Sequence, residues 1–82
     1  TDNMTANRFN ILWALAQSFT DHGNYQKAER IWRRIIETTA KLFGDHHQYT
    51  VSALHELATS VSRQGRPKEA ENHLRQVLEV HV

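Results

Sequence analysis

The six histidines are the residues with the most evident capacity for chemistry, because a neutral imidazole is a common metal ligand. Their spacing does not form a ligand motif. His46 and His47 are adjacent, and His55-Glu56 is followed by Leu, Ala and Thr, so the HExxH sequence of a zinc site does not occur. The chain has no cysteine, which excludes a thiolate metal cluster and a disulfide scaffold. We therefore expect neither a metal site nor a cofactor.

Other groupings that carry out catalysis are also missing from the sequence. It has no nucleophile placed beside a base, no glycine loop that could cradle a phosphate and no convergent pair of carboxylates. Ser18 and Ser60 occupy matching positions because the chain repeats itself, as described below. The sequence predicts a noncatalytic protein.

A group of basic residues follows one helical spacing: Lys27, Arg30, Arg34 and Lys41. Such a stripe could bind phosphate, or it could be the solvated outer face of a helix. We favour the solvated face, because no aromatic residues interleave with the charges as they do in proteins that bind single strands. Ten Lys and Arg against nine Asp and Glu give a net charge of +1, so we do not expect a nucleic-acid partner.

Length and composition predict one small folded unit. The chain has 82 residues and a mass of 9.6 kDa, with 39% apolar and 23% charged residues, which is typical of globular proteins. No apolar run approaches the ~18 residues that span a bilayer, and the chain does not open as a signal peptide does. We expect an intracellular, cytoplasmic location and no membrane partner.

Glycine and proline divide the chain into four segments with helical spacing of apolar residues. The segments are 8–22, 25–43, 48–64 and the residues from Pro67 onward. The stripe of the first segment is Phe9, Leu12, Leu15, Ala16 and Phe19, and that of the second ends on Leu42 and Phe43. We expect Asn24 to cap the second helix and Gly44 to end it. No segment has the alternating pattern of a strand, so the sequence predicts an all-α fold.

The chain repeats itself after 42 residues. The matched positions include Leu12 and Leu54, Leu15 and Leu57, Ala16 and Ala58, Gly23 and Gly65, Ala28 and Ala70, Glu29 and Glu71, and Arg33 and Arg75. We expect the alanines to lie where two helices of a hairpin cross closely, and the short glycine turns to make those helices antiparallel.

The run Leu12-x-x-Leu15-Ala16-x-x-Phe19-x-x-x-Gly23-x-Tyr25-x-x-Ala28-x-x-x-Trp32, with its echo from Leu54 to Leu74, resembles the tetratricopeptide repeat. The usual unit is about 34 residues, and the longer period here is similar to the kinesin light chain type. The resemblance implies that residues 1–82 are a single fragment of a larger intracellular protein, with one repeat at about 9–43 and a second at about 48–82. The implied fold is two antiparallel helical hairpins stacked as a short right-handed solenoid.

Some features of the resembled family are absent. Trp13-Ala14 and His55-Glu56 stand where kinesin light chains carry a pair of asparagines, so their cargo recognition is not carried over. The clamp that holds chaperone carboxyl termini is not visible either. The family does imply that His46 shapes the link between the two repeats.

The resemblance implies binding of a protein or peptide partner on the concave face, which the first helix of each repeat lines. The candidate binding residues are Asn10, Trp13, Gln17, Thr20, Asp21, Ser52, His55, Glu56, Thr59 and Arg63. Trp13 has two open interpretations, since at the edge of the apolar stripe it could anchor a partner or pack against a neighbouring hairpin. Trp32 lies on the stripe, and we expect it in the core.

Self-association is the alternative function. Repeat arrays generally need about three or more units, because each unit buries its neighbour's apolar face, and this chain has two. An apolar strip on the last helix would then be left exposed and could pair with another copy. The candidate residues for a homo-oligomer contact are Leu74, Val77, Leu78 and Val80.

Overall fold

Four α-helices follow one another in the computed structural model, which describes the backbone of residues 2–81 and the side chains of residues 8–75. The helices are α1 Asp2–Asp21, α2 Tyr25–Phe43, α3 Gln48–Arg63 and α4 Pro67–His81. No strand occurs within the described backbone. Each helix packs against the next along the chain, so α1–α2 and α3–α4 form two stacked hairpins. The all-α prediction is confirmed, and α1 begins six residues before its predicted start.

Both hairpin turns end a helix in the same way. Gly23 and Gly65 have φ values of 77° and 84°, in the left-handed region that glycine adopts without a steric cost. In the first turn the Gly23 N–H donates to Thr20 O, and the Asn24 N–H donates to Phe19 O at 2.8 Å. This pair of bonds is the Schellman motif, and equivalent bonds close the turn at Gly65. The prediction that these glycines make the turns is confirmed.

Asn24 occupies the N-cap position of α2, as predicted. Its side chain makes no capping hydrogen bond. The backbone of Asn24 joins the two helices: its N–H closes α1, and its carbonyl accepts the first intrahelical bond of α2, from the Ala28 N–H at 3.1 Å.

The link between the hairpins is organised by Gly44 and His47. Gly44 ends α2 with a φ of 97°, as expected, and its carbonyl accepts a hydrogen bond from Thr50 Oγ1 at 2.9 Å. His47 caps α3, because its Nδ1 accepts from the Tyr49 N–H at 3.1 Å. The capping histidine is therefore His47, whereas the neighbouring His46 is exposed.

The core lies where the helices cross. Ala16, Ala28, Ala58 and Ala70 are all buried, as predicted for the close crossing points of the two hairpins. Trp32 is fully buried, and its Nε1 donates to Thr20 Oγ1 at 3.1 Å, so the indole N–H has a partner in the interior. The other buried members of the main cluster are Ile35, Ala53, Leu57 and Val61.

Part of the predicted apolar stripe is exposed. Leu15 is 43% exposed, whereas its repeat equivalent Leu57 is 2% exposed. The difference has a simple cause: α2 packs against α3, but no described helix packs against the corresponding side of α1. Leu42 and Phe43, at the end of α2, are also exposed, and the Phe43 ring stacks on His47 with 4.7 Å between centroids.

Candidate functional site

Four aromatic rings converge where α1 meets α3. Trp13 packs edge-on against Trp32 with 5.0 Å between ring centroids, and its other neighbours are Phe9 at 5.7 Å and Tyr49 at 6.3 Å. Phe9 and Tyr49 are themselves 6.0 Å apart. These separations are typical of attractive aromatic pairs. Trp13 is therefore partly buried against the core while its ring still faces the α1–α3 surface.

A pocket of about 340 Å³ opens beside these rings. Its lining combines apolar rings with side chains that can donate and accept hydrogen bonds: Phe9, Asn10, Trp13, Gln48, Tyr49 and Ser52. The volume is at the small end for a ligand pocket, so it suits one or two side chains of a larger partner. We call this site the aromatic pocket.

The ten predicted binding residues divide between two sites and the surface around them. Asn10, Trp13 and Ser52 line the aromatic pocket. His55, Thr59 and Arg63 line a second groove, described below. The remaining four are Gln17, Thr20, Asp21 and Glu56.

Three of these four residues form hydrogen bonds on α1. Gln17 Nε2 donates to Asp21 Oδ1 at 3.2 Å on the surface. Thr20 is turned toward the interior, where it donates to Ala16 O and accepts from Trp32. Thr20 thus has a structural role in this chain. Glu56 is half-buried and lines neither site.

The second groove lies between α3 and α4 and has a volume of about 670 Å³. Ala58 and Ala70 line it where the two helices cross, and Glu71 and Leu74 lie on its α4 side. Leu74, one of the predicted self-association residues, is 40% exposed. The side chains of Val77, Leu78 and Val80, the other three, lie outside the described residues. We call this site the α3–α4 groove.

A buried carboxylate connects the two hairpins. Glu29 Oε1 accepts from Arg66 Nη1 and from Gln64 Nε2, both at 2.8 Å, and Glu29 Oε2 accepts from Arg33 Nη2 at 3.0 Å. Glu69 extends the network by bonding to both arginines. Hydrogen bonds from Arg66, joined by those of Gln64 and Arg33, outweigh the effect of burial and lower the pKa of Glu29 to about 2.

The basic stripe of α2 is exposed, as the solvated-face interpretation requires. Lys27, Arg30, Arg34 and Lys41 all lie on the surface. Lys27 Nζ sits 5.6 Å from the centroid of the Phe19 ring, a cation–π contact within the chain. Arg33, the neighbouring cation, is instead committed to Glu29 and Glu69.

The described residues form neither a metal-binding cluster nor a membrane-spanning helix. Among the described side chains, no group of three or more His, Cys, Asp or Glu residues is arranged to hold a metal ion. Within the described helices, none combines the length and apolarity of a membrane span.

Sequence reasoning missed two lining residues of the aromatic pocket, Gln48 and Tyr49. Both lie in the first turn of α3, before Leu54, the first position of the second repeat that matches the first repeat. The available signal was Tyr49 itself, an aromatic residue three positions before the interaction candidate Ser52. The network around Glu29 was also missed, because Gln64 and Arg66 are 35 and 37 residues away in sequence.

Two stacked helical hairpins with matching turns define a helical-repeat protein. The sequence model of the tetratricopeptide repeat matches residues 7–81, nearly the whole chain. The chain therefore belongs to the tetratricopeptide repeat family, whose members generally mediate protein–protein interaction without catalysis. Neither the curated proteins nor the solved structures gave a significant match.

Proposed function

We propose that this chain is a noncatalytic interaction module that binds a segment of a partner protein on the α1–α3 face. The aromatic pocket is the observation that carries the proposal. It offers ring surface to an apolar side chain, and Asn10, Gln48 and Ser52 supply the donors and acceptors that a partner's backbone needs. Rigid aromatic residues beside polar groups are the usual anchors of protein interfaces.

We propose that Trp13 has both roles that the sequence left open: it packs against the neighbouring hairpin, with 6.3 Å between its ring centroid and that of Tyr49, and it anchors a partner. Its contact with Trp32 fixes the ring against the core, and its position in the pocket lining leaves part of the ring available to a partner. A ring that is already fixed loses little conformational entropy on binding. The residues of the α1–α3 face outside the pocket, such as Gln17, are proposed to contact the rest of the bound segment.

The experiment should block the pocket without disturbing the core. Ser52 is exposed at the pocket lining, so Ser52→Arg places a long side chain into the opening while leaving the Trp13–Trp32 pair intact. Peptides selected from a random phage-displayed library on the wild-type chain serve as probes. We expect Ser52→Arg to weaken binding of a selected peptide by about tenfold or more, which corresponds to the loss of one anchor contact.

Ser62→Arg is the matched control, because Ser62 is an exposed serine on the same helix but lines the α3–α4 groove. It should leave peptide binding unchanged. Equal affinities for the wild type and Ser52→Arg would rule out the aromatic pocket as the binding site, and loss in Ser62→Arg alone would transfer the site to the groove.

A second candidate function is self-association, and the exposed apolar residues at the two ends of the stack favour it. Ile11 and Leu15 are 64% and 43% exposed on α1, and Leu74 is 40% exposed on α4. Apolar surface of this kind often marks an interface. We propose this function beside peptide binding, since the two use different faces of the chain.

We also propose that the repeat is of the kinesin light chain type and acts inside the cell. The structural period supports the first point, because α2 and α4 begin at Tyr25 and Pro67, 42 residues apart. The lack of cysteine supports the second, since it is compatible with a reducing compartment.

A further inference from the structure

The surface of the first hairpin that corresponds to the α3–α4 groove is covered by another helix, which indicates what kind of partner the groove fits. A shift of 42 residues carries Ala58, Ala70, Glu71 and Leu74 of the groove onto Ala16, Ala28, Glu29 and Trp32. Trp32 is fully buried, whereas its equivalent Leu74 is 40% exposed. The side chain of Glu29 is 12% exposed, whereas that of its equivalent Glu71 is 62% exposed. The surface that the first hairpin buries against the next hairpin is therefore exposed on the second hairpin.

The neighbour that covers the first hairpin is α3 with the turn that follows it. Ala53, Leu57 and Ser60 of α3 are almost completely buried, and beyond them Gln64 and Arg66 bond to Glu29. The equivalents of the three α3 residues on α1 are Ile11, Leu15 and Ser18, and all three are exposed. Residues buried on α3 but exposed on α1 are those that face the preceding hairpin.

We propose that two copies of this chain associate head to tail, with the open face of α1 from one copy seated in the α3–α4 groove of the other. This inference rests on the self-association function proposed above and gives it a direction. The contact would repeat between molecules the packing of α3 on the first hairpin. Ile11 and Leu15 of one copy would cover Leu74 of the next.

The carboxylate of Glu71 at the α3–α4 groove supports a second copy of the chain as its partner. Glu71 is paired with Arg75 at 3.2 Å, as Glu29 is with Arg33, but it lacks counterparts of Gln64 and Arg66 among the described side chains. In a docked second copy, His22 and Asn24 would take those two places, since they precede Gln64 and Arg66 by 42 residues. Both can present an N–H group to the carboxylate.

The comparison of Asn24 with its equivalent Arg66 predicts that the association of two copies is weak and that a substitution can strengthen it. Asn24 is neutral where Arg66 is charged, so a bond from Asn24 to the Glu71 carboxylate lacks the ion pairing and the bidentate geometry that an arginine provides. The Asn24 side chain makes no capping bond, and Arg66 occupies the equivalent turn position, so the turn accepts arginine. Asn24→Arg should therefore tighten association by about tenfold.

The test is light scattering of the full chain over a concentration series. We expect the wild-type mass to rise with concentration without stopping at a dimer, because a head-to-tail contact leaves a free end on every assembly. Leu15→Arg blocks the α1 face and Ser62→Arg blocks the groove, so each variant alone should stay monomeric. An equimolar mixture of the two should form a heterodimer, since each supplies the surface that the other has lost.

Further variants separate this interface from the alternatives. Ile11→Arg repeats the test of the α1 face at a more exposed position, and far-UV circular dichroism checks that each variant is folded. Ser52→Arg, in the aromatic pocket, should leave the mass unchanged. Glu71→Gln should remove the gain from Asn24→Arg.

Three results would overturn the proposal. The first is a monomeric mass for both the wild type and Asn24→Arg. The second is a mixture of Leu15→Arg and Ser62→Arg that stays monomeric, and the third is an association that only Ser52→Arg abolishes. None of these results bears on peptide binding at the aromatic pocket, which is measured with its own probe.

Discussion

Glu29 is the residue whose charge does most to join the two hairpins. It lies on α2 of the first hairpin, while Gln64 and Arg66 belong to the turn of the second. A carboxylate with this many donors is stabilised in its ionised form, which is why its pKa falls to about 2. The same bonds raise the pKa of Arg66 above its usual range. The pair therefore stays ionised throughout the physiological pH range.

Stability should depend on this residue in acid. The pKa of Glu29 is lower in the folded chain than the ordinary 4.5, so as pH falls the unfolded chain takes up the proton first. The ionised carboxylate contributes fully to the free energy of unfolding above pH 4.5, and this contribution, about 3 kcal/mol, is lost as pH falls toward 2. Urea unfolding at several pH values measures this loss.

Glu29→Gln tests the assignment. The variant should be less stable by about 2 kcal/mol at pH 7, because Arg66 loses its buried partner, and its acid loss should be smaller than that of the wild type. Glu71→Gln is the matched control, since Glu71 is the exposed repeat equivalent, and its effect should stay within about 0.5 kcal/mol. Parallel acid profiles for wild type and Glu29→Gln would show that another group carries the dependence.

At the scale of the helices, the turns set the geometry of each hairpin. Gly23 and Gly65 lie in the left-handed region with open space around them, so a methyl group added there meets no atom within 4 Å. Any loss of stability on substitution therefore comes from the positive φ that the new residue must adopt, and not from a steric clash. Gly65→Ala should destabilise the chain by about 1 kcal/mol.

Gly65→Asn is the informative comparison, because asparagine tolerates the left-handed region better than alanine does. The urea midpoint should fall in the order wild type, Gly65→Asn, Gly65→Ala, and Gly23 should give the same order. If alanine and asparagine lower the midpoint equally, the strain explanation is incorrect.

The sequence predicts these helices well but predicts their contacts only in part. The three glycines mark the ends of α1, α2 and α3 closely, because the turn conformation demands glycine, and Pro67 marks the start of α4. Apolar spacing placed Leu15 on a packing stripe, but spacing identifies a face and not what covers it. The same limit applies to Glu29, since its partners are brought near only by the stacking of the hairpins.

At the scale of the whole molecule, stability depends on how many hairpin interfaces the chain contains. A copy of residues 41–82 added after Val82 would keep the 42-residue period and cover the α3–α4 groove. Each added repeat contributes an interface with its neighbour, so the extended chain should unfold at a higher urea concentration than the 82-residue chain.

Glu71→Gln provides the control within this experiment. In the extended chain the added copies of Gln64 and Arg66 would face Glu71, so the substitution should cost more there than in the original chain. Identical urea midpoints for the extended and original chains would contradict stacking in the groove.

The placement of the two tryptophans has an optical consequence. Trp13 and Trp32 are the only indoles of the chain, and they meet edge-on at 5.0 Å within the first hairpin. Intrinsic tryptophan emission therefore originates entirely from the α1–α2 half of the molecule. Far-UV circular dichroism, in contrast, sums the signal of all four helices. The chain thus carries its own reporter pair, with which loosening of the second hairpin can be distinguished from melting of the first without any added dye.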